Sequence, residues 1–382
     1  MNASACFDKV ACMTNFHIAR IRLTAFLIFI LTLLAACENK QPTPAEIREK
    51  LKHLMPATIK DRDGWATDIQ YAVSSLKIEP SSQNLCSILA VTEQESTYNA
   101  NPPVPGLGKI ALKEIETRAA RFKIPAFAVH GALQFESPNG ESWETRIASV
   151  RTEKELSDIF EEMIASVPMG KRLLGRLNPV HTGGPMQVSI AYAQAHAKLH
   201  PYPYHAEDTS IRHEVFSRRG GMYFGIAHLL DYETSYDKPL FRFADFNAGH
   251  YASRNAAFQN AVAVATGVGL DLDGDLILYK KDKTFISATE LAVRSMAADL
   301  GMTSEQIHQA LMQSREHRFE RSELYIRMFE IAEQRNGKPL PHATLPRIRL
   351  QSPKITRKLT TEWFATRVNK RYRNCMSRAE IN

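Results

Sequence analysis

Extended apolar runs are nearly absent from this chain. The clearest one, residues 23–34, has 12 residues, whereas a membrane-spanning helix needs about 20, so it is too short for a comfortable transmembrane helix. Charge of one sign is not in large excess, since 48 basic and 41 acidic residues give a net charge of +7. Cysteine is scarce, with five residues in all. The apolar content of 44% is ordinary and is enough for one large or two modest folded domains, without signs of disorder.

The apolar run has the flanks of an export signal. Arg20 and Arg22 precede it, and two alanines end it directly before Cys37. The block Leu-Ala-Ala-Cys resembles the lipobox of bacterial lipoproteins. This resemblance implies that residues 1–36 are removed as a signal peptide and that Cys37 is acylated. An uncleaved membrane anchor with an incidental cysteine is the alternative.

The segment after the cleavage site is expected to be a lipidated tether, residues 37–62. It contains the polar, proline-containing stretch QPTPAEIR. Several acyl chains anchor a protein stably, whereas one chain binds only marginally. Glu38 stands where inner-membrane lipoproteins usually carry aspartate, so the resemblance implies the periplasmic face of the outer membrane. Translation begins at either Met1 or Met13.

One amphipathic helix carries the most informative carboxyl group. The spacing predicts a helix from Gln83 to about Thr97, with Ser81 or Ser82 as its N-cap. The apolar stripe of this helix consists of Leu85, Ile88, Leu89 and Thr92. Continued by three residues, the stripe brings Glu95 to the buried face, where shielding from water should raise its pKa. Glu93 lies about 200° away. Glu95 is therefore a candidate general acid, and a solvated glutamate at a helix end is the alternative.

Two further fragments follow Glu95 at wide spacing. The first is GGPMQV at 183–188, and the second is FADFNAG at 243–249. Together with the Glu-Ser pair of VTEQESTYN, they resemble the three signatures of lytic transglycosylases, the lysozyme-like enzymes that cut peptidoglycan glycan strands. Pro185 replaces the usual leucine of the second signature, and Phe246 replaces the usual tyrosine of the third.

The resemblance implies a reaction that uses a single carboxyl group. Glu95 would protonate the oxygen between N-acetylmuramic acid (MurNAc) and N-acetylglucosamine (GlcNAc). It would then act as base on the muramic acid 6-hydroxyl, which closes a 1,6-anhydro ring. No second carboxylate is required, in contrast to the usual glycosidase pair, and no cofactor or metal ion is implied.

The same resemblance implies a set of substrate-binding residues. These are Ser96, Met186, Gln187, Tyr223, Phe246 and Asn247. Met186 is expected to line the saccharide groove, Gln187 to hold the glutamate or the sugar through its amide, and Asn247 to bind the N-acetyl group. Tyr223 offers a face for stacking on a sugar ring, although core packing is the commoner role of such aromatic residues.

Two positions near these fragments carry additional expectations. Pro185 suits the first turn of a helix predicted from Met186 to Leu199. Asp245 is a further candidate for a polar contact with substrate. An ordinary glycine-proline turn is the alternative at Pro185.

The predicted fold class is mainly α. A lysozyme-like helical domain is expected over 63–270, with a long α+β insertion at about 101–180, and a helical C-terminal extension with a basic tail over 271–382. In the insertion, helices are predicted at 106–120 and 152–164, and SWETRIASV suggests strand-like patches. The blocks ILAVTEQES and VPGLGKI also resemble exported lipoproteins of the DUF1615 family, a label that implies no chemistry.

Two cysteines are left without a role after cleavage and acylation. In an oxidising periplasm Cys86 and Cys375 are candidates for a disulfide. A buried free thiol at Cys86 is the alternative, because free cysteine is common in protein cores.

Metal sites are weakly indicated. His196 and His200 lie on one helix face, but the glutamate of a His-Glu-x-x-His protease is missing and no strong third ligand is visible. The acidic run 271–275, DLDGD, lacks the glycine and glutamate spacing of an EF-hand. A zinc peptidase is therefore disfavoured, and a turn is the better interpretation of the acidic run.

The charge distribution bears on partners. Removing 1–36 takes three basic residues and one acidic residue from totals of 48 and 41, which leaves 45 against 40, or +5. The basic stretch TTEWFATRVNKRYRN suits anionic lipid or a wall polymer, with a solvated helix face or a loose tail as the alternative. Nucleic acid is not an expected partner of an exported protein. The expected partners are peptidoglycan glycan strands, the membrane through the N-terminal lipid, and cell-wall assembly proteins.

The sequence thus predicts a lipid-anchored lytic transglycosylase with Glu95 as its only acid and base. The alternative is a non-catalytic peptidoglycan-binding or scaffold lipoprotein of the cell envelope.

Overall fold

The computed structural model describes residues 41–167, 178–204, 209–280, 283–350 and 357–380. The predicted signal peptide and Cys37 lie outside these ranges. Residues 44–382 form one compact unit. Its described part is mainly α-helical, with two small antiparallel pairs of strands. None of the helices in these ranges is both long enough and apolar enough to span a bilayer.

Within the described ranges, seven helices precede the first strand. They are α1 Pro44–Leu54, α2 Arg62–Ser75, α3 Ser82–Ser96, α4 Leu107–Arg121, α5 Ala126–Leu133, α6 Trp143–Ser149 and α7 Glu153–Ser166. A hairpin of β1 Thr182–Gly183 and β2 Val188–Ser189 follows, and its strands pair antiparallel.

The second half of the chain is also helical. Its helices are α8 Ile190–Leu199, α9 Ile211–Val215, α10 Arg218–Leu230, α11 Pro239–Ala248, α12 Ala252–Thr266, α13 Ala288–Arg294, α14 Ala297–Leu300, α15 Ser304–Met312, α16 Glu323–Asn336 and α17 Thr361–Ala379. Two 3-10 helices lie at Gln313–Arg315 and His317–Arg321, and β3 Leu278–Lys280 pairs with β4 Lys283–Phe285.

Helix α3 begins where the sequence predicts it. The Ser81 side chain accepts a hydrogen bond from the Asn84 amide at 3.2 Å and so satisfies one amide of the first turn. The helix ends at Ser96, and Thr97 leaves it with φ of +50°. The apolar stripe is fully buried, which explains why tertiary packing keeps this segment helical.

The buried side chains form two clusters. The first joins α1–α11 with α17, and the second joins α12–α16. Helix α17 therefore returns from the C-terminus to the first cluster, where it packs against α3 and α11. Its apolar side chains, among them Phe364 and Val368, face this cluster. The basic C-terminal stretch is thus an integral helix of the first cluster instead of a loose tail.

The described part of the insertion is helical, which corrects the α+β expectation. SWETRIASV forms α6 instead of strand-like patches, because Ser142 caps the helix and Trp143 and Ile147 bury themselves at i,i+4 spacing. The Val104 amide donates to the Arg151 carbonyl at 2.8 Å, so the segment carrying α4–α6 closes on itself at its base.

The helix predicted from Met186 begins later than expected. It starts at Ile190, because the Ser189 side chain accepts a hydrogen bond from the Tyr192 amide and caps the helix there. Pro185 consequently lies in the turn between β1 and β2 and not in a helix. Gly184 has φ of +74° in this turn, and a Cβ there would lie 2.0 Å from the Val215 carbonyl oxygen, so only glycine fits.

Candidate active site

Glu95 lies one residue before the end of α3. Its side chain is partly exposed, and no hydrogen bond or ion pair engages it among the described residues. Burial alone raises the pKa of Glu95 to about 8. Glu95 is therefore a neutral acid near pH 7 that solvent still reaches, and the direction of its pKa agrees with the expectation from the apolar stripe.

Glu93 has different surroundings. Its carboxylate lies 3.4 Å from Nε of Arg371 on α17. This ion pair places Glu93 on the α17 side of α3, as its position on another face of the helix from Glu95 predicts. Of the two glutamates, Glu95 is the one available for proton transfer.

The backbone is strained next to the three fragments. Seven non-glycine residues in the described ranges have positive φ, and four of these lie in a fragment or within two residues of one. They are Thr97 at +50°, Tyr98 at +58°, Gln187 at +50° and Tyr251 at +65°. Strained residues cluster at functional sites because the surrounding structure must hold them there. A β-branched residue such as Thr97 is a particular outlier in this conformation.

The three fragments meet successive positions of one helix, α10. Thr92 of α3 donates from its hydroxyl to the sulfur of Met222 at 3.7 Å. Three residues on, a Cβ at Gly225 would lie 2.6 Å from Met186, so the hairpin rests directly on this glycine. After three more residues, the ring of His228 lies 5.1 Å from that of Phe246. At 1.5 Å per residue, these positions span about 9 Å of helix.

The second fragment is a rigid turn. Oε1 of Gln187 accepts from the Thr182 hydroxyl at 3.2 Å, and Nε2 donates to the Gly184 carbonyl at 3.4 Å. The Gln187 side chain remains partly exposed. No hydrogen bond joins Gln187 to Glu95 or Asn247 within the ranges that the structure describes, so the amide stiffens the hairpin in this state.

Helix α17 runs antiparallel to α3. Cys86 near the start of α3 forms a disulfide with Cys375 near the end of α17, with 5.5 Å between their Cα atoms. Glu93, further along α3, meets Arg371, which is earlier on α17. This disulfide is the pairing that sequence analysis left open beside a free thiol.

The antiparallel arrangement brings the third fragment to the Glu95 end of α3. Asn247 accepts a hydrogen bond at Oδ1 from the hydroxyl of Thr361, the first residue of α17, at 2.9 Å. Thr361 lies about 21 Å from Cys375 along α17, whereas Glu95 lies about 13 Å from the disulfide along α3, at 1.5 Å per residue. Asn247 is exposed and lies beyond the end of α3 that carries Glu95.

Several proposed substrate contacts are packing residues instead. Met186 is fully buried against α10 and Tyr223 is 2% exposed, so neither lines a groove as expected. Ser96 is buried and donates to the Thr92 carbonyl at 3.0 Å. Phe246 is 9% exposed and contacts His228. Met186 and Phe246 owe their positions to packing against α10, which sequence periodicity alone does not reveal.

Asp245 has a structural role that replaces the expected polar contact. It is fully buried, and its carboxylate accepts from the backbone amides of Tyr251 and Ser253 at 2.9 and 2.7 Å and from the Tyr236 hydroxyl at 2.7 Å. These bonds satisfy the start of α12, whose own N-cap has no side-chain bond. Burial raises the pKa of Asp245 to about 6, although these hydrogen bonds oppose the shift.

Cavities lie beside the third fragment but do not reach Glu95. One of about 370 Å³ is lined by Tyr192, His228, Ala248, Gly249 and His250, together with residues of the 273–279 loop. Glu95, Gln187 and Asn247 line none of the four principal cavities of the described structure. Glu95 thus lies outside these four cavities, at a partly exposed position near the end of α3.

The described residues hold no cluster of three or more side chains suited to a metal ion. The rings of His196 and His200 stack with centroids 4.6 Å apart, and His196 Nε2 lies 3.5 Å from Asp231. This is a pair of imidazoles beside one carboxylate. His205, a further histidine close to this pair in the sequence, lies outside the described residues.

Sequence reasoning missed two contacts that support the site. The hydroxyl of Thr361 donates a hydrogen bond to Asn247, and the sulfur of Met222 accepts one from Thr92. The two residues of each contact are far apart in the chain. No local pattern marks either residue. The glycines of GGMYFGIAHLL were the available signal for α10, since Gly221 and Gly225 are the positions where the hairpin approaches its backbone.

Comparison with known proteins gives a family without a stated activity. The family model described as "Protein of unknown function (DUF1615)" matches residues 58–378. The chain is similar to the uncharacterized protein YaiW of Escherichia coli (strain K12), with 52% identity over 361 residues, which cover 93% of this chain and 98% of that protein. No solved structure is significantly similar.

Proposed function

The chain belongs to the DUF1615 family, whose description states no activity, and we propose a function for it from the environment of Glu95. The protein is a membrane-anchored lytic transglycosylase of lysozyme-like fold. It cleaves the β-1,4 bond between MurNAc and GlcNAc in peptidoglycan and leaves 1,6-anhydro-MurNAc ends. It uses no cofactor.

The environment of Glu95 carries this proposal. A carboxyl group with a pKa of about 8 is mostly protonated at neutral pH and can donate to the glycosidic oxygen. Once it has donated, the carboxylate has no hydrogen bond or ion pair from the described residues to stabilise it. It is therefore a strong base toward the 6-hydroxyl of the muramic acid. A single carboxyl group whose charged form is not stabilised by any described residue therefore suits both proton transfers.

The arrangement around Glu95 supports the same reaction class. The three fragments meet one side of α10, and strained backbone adjoins each of them. The partly exposed Gln187 and the exposed Asn247 retain amide groups that suit the N-acetyl and hydroxyl groups of a glycan. Nδ2 of Asn247 is the free part of that side chain, since Oδ1 is engaged by Thr361.

The cellular setting is part of the proposal. Acylation at Cys37 and attachment to the periplasmic face of the outer membrane would place the enzyme against its peptidoglycan substrate. Cell-wall assembly proteins are the expected protein partners.

A non-catalytic peptidoglycan-binding or scaffold role is the second candidate. Three observations favour it: Met186 and Tyr223 are buried, Phe246 lacks the tyrosine hydroxyl, and Glu95 lines none of the principal cavities of the described structure. A protein that kept the fold and lost the groove would have these features.

Product analysis separates the two candidates. A chain beginning at Gln41, which keeps the whole compact unit, is incubated with purified peptidoglycan, and soluble products are resolved by mass spectrometry. The transglycosylase releases fragments with 1,6-anhydro-MurNAc ends. Glu95→Gln should lower the rate by about 10²–10⁴ because the general acid is lost. Glu93→Gln is the matched control and should keep the activity, since Glu93 faces α17.

Other outcomes would contradict the proposal. Reducing ends in place of anhydro ends would mean a hydrolase. No release from the wall, combined with equal sedimentation of the original chain and Glu95→Gln onto peptidoglycan, would support the scaffold role.

A further inference from the structure

The insertion presents apolar side chains to solvent. From the last residue of α4 into the first turn of α5, residues 121–128 are all exposed, with the sequence RFKIPAFA. Phe122 is 72% exposed, Phe127 is 79% exposed, and Phe135 at the end of α5 is 72% exposed. Single exposed apolar residues need no explanation, but three largely exposed phenylalanines within one short segment leave much apolar area in water, which costs free energy. We call residues 121–135 the aromatic tip.

The aromatic tip is held in a defined conformation. The amides of Phe122 and Ile124 both donate to the Ala119 carbonyl, at 2.9 and 3.1 Å, and Lys123 has φ of +61°. This is the usual left-handed ending of a helix. Val129 and Leu133 bury the other side of α5. The phenylalanines are therefore turned outward by packing and do not belong to an unfolded loop.

The side chain of His130 connects α5 to two neighbouring helices. His130 lies 2.9 Å from Glu116 of α4 and 2.7 Å from Glu144 of α6. This double contact ties the short apolar helix to both of its neighbours. The tip is thus presented as a unit whose outer side has no covering element among the described residues.

The charges of the aromatic tip have one sign. From 117 to 135 the chain carries Arg118, Arg121 and Lys123 and no aspartate or glutamate. Arg118 pairs with Glu114 at 2.8 Å. Arg121 and Lys123 are exposed and form no ion pair within the described ranges. Cationic side chains alternating with exposed aromatic rings are the composition of segments that lie in a membrane interface.

We propose that the aromatic tip docks on a phospholipid bilayer that contains anionic headgroups. The phenyl rings of Phe122, Phe127 and Phe135 enter the boundary between headgroups and acyl chains, while Arg121 and Lys123 bind the headgroup phosphates. A second copy of the chain fits this surface less well, because it would bring like charges face to face in a site of low dielectric. The docking is independent of whether Glu95 is catalytic.

Docking at the tip would complement an N-terminal acyl anchor. An acyl anchor fixes only the end of a tether, whereas a second contact on the folded body also fixes its orientation. The insertion departs from the chain directly after the segment that follows Glu95, so a docked tip would set the direction in which the Glu95 end of α3 faces.

Vesicle sedimentation tests the proposal. The chain beginning at Gln41, which lacks any acyl group, is mixed with vesicles of phosphatidylcholine alone or of phosphatidylcholine and phosphatidylglycerol in equal amounts. We expect binding to the anionic vesicles that weakens as salt increases. The double variant Phe122→Ser/Phe127→Ser should lower the partition coefficient by about tenfold or more, because two phenyl rings no longer leave water. Arg121→Gln/Lys123→Gln should lower it on anionic vesicles only.

Matched controls use residues outside the tip. Leu199→Ser and Leu291→Ser remove apolar side chains that are 80% and 65% exposed elsewhere and should leave binding unchanged. Lys370→Gln/Arg373→Gln removes exposed charge from α17 and tests whether that basic helix is the binding surface instead. Circular dichroism should show equal unfolding temperatures for all variants, since every changed side chain is exposed.

Three results would overturn the proposal. The first is absence of binding to either vesicle. The second is binding that survives the double phenylalanine variant or is lost with the α17 variant. The third is a change of sedimentation coefficient in the phenylalanine variant without vesicles, which would show that the tip joins two copies of the chain.

Discussion

Replacing Glu95 with glutamine should stabilise the protein at alkaline pH and leave it unchanged at acidic pH. The reason is that burial raises the pKa of Glu95 from 4.5 to about 8. Below pH 4.5 the carboxyl group is protonated in the folded and the unfolded chain. As pH rises from 4.5, the unfolded chain releases its proton first, so the free energy of unfolding falls until pH passes the folded pKa. Glutamine has the same shape without this ionisation.

The size of the effect follows from the two pKa values. One pKa unit corresponds to about 1.4 kcal/mol, so the separation of 4.5 and about 8 sets an upper limit of about 5 kcal/mol above pH 8. Glu95 retains partial exposure, which lowers this to about 3 kcal/mol because solvent screens the charge. With an unfolding entropy of about 2.1 cal/mol/K per residue over residues 44–382, the midpoint should rise by about 4 °C.

Thermal unfolding of three chains between pH 4.5 and 9 measures this difference. Glu95→Gln should match the original chain at pH 4.5 and exceed it increasingly toward pH 8. Taking the difference between chains cancels the titration of all other groups. Glu93→Gln is the control, because it removes an ion pair with Arg371 and should cost at most about 1 kcal/mol. A Glu95→Gln effect that is equal at every pH would mean that Glu95 is not a neutral buried acid.

Three other perturbations test the framework of the site. The Cys86–Cys375 disulfide spans 289 residues, so replacing both cysteines with serine should lower the free energy of unfolding by about 4–5 kcal/mol; an unchanged unfolding midpoint with and without dithiothreitol would contradict this. Gly225→Ala should cost about 1–3 kcal/mol, because its Cβ would lie 2.6 Å from both Cβ and Sδ of Met186, and Met186→Gly, which removes both atoms, should recover part of that loss; purely additive losses in a denaturant titration would contradict the contact. Hydrogen bonds to two glutamates raise the pKa of His130, so their stabilisation is present below pH 6.5 and lost as pH rises through the raised pKa; His130→Gln should therefore be less stable than the original chain at pH 5.5 and equal to it at pH 9 by thermal unfolding.

The sequence predicted α3 well because its determinants are local. The Ser81 cap and the stripe ending at Thr92 belong to the same few turns, and both act within the helix. The predicted span from Gln83 to about Thr97 agrees with Ser82–Ser96 to within one residue at each end. The raised pKa of Glu95 follows from the same periodicity.

Predictions failed where two local signals competed. SWETRIASV contains residues typical of strands, but the cap at Ser142 and the i,i+4 burial of Trp143 and Ile147 favour a helix. Proline is common in the first turn of a helix, yet Ser189 provides a stronger start four residues after Pro185. In each case a capping serine determined the helix start.

Other predictions failed because the deciding contacts are distant in sequence. Met186 is buried against Gly225 of α10. The carboxylate of Asp245 accepts hydrogen bonds from the backbone amides at the start of α12. Neither partner can be inferred from the periodicity of one element. A polar residue within one of the three fragments can therefore stabilise the fold just as well as it can bind a sugar.

Helix α17 explains how the chain tolerates the Glu95 environment. A carboxyl group that receives no hydrogen bond from the described residues at the end of α3, followed by strained backbone at Thr97, favours fraying of that helix end. The disulfide fixes the start of α3 to α17, and the ion pair of Glu93 with Arg371 fixes the turn beside Glu95. The first residue of α17 also bonds Asn247. Loss of α17 would release the first and third fragments together, so the C-terminal helix is a structural requirement of the site and not an appendage to it.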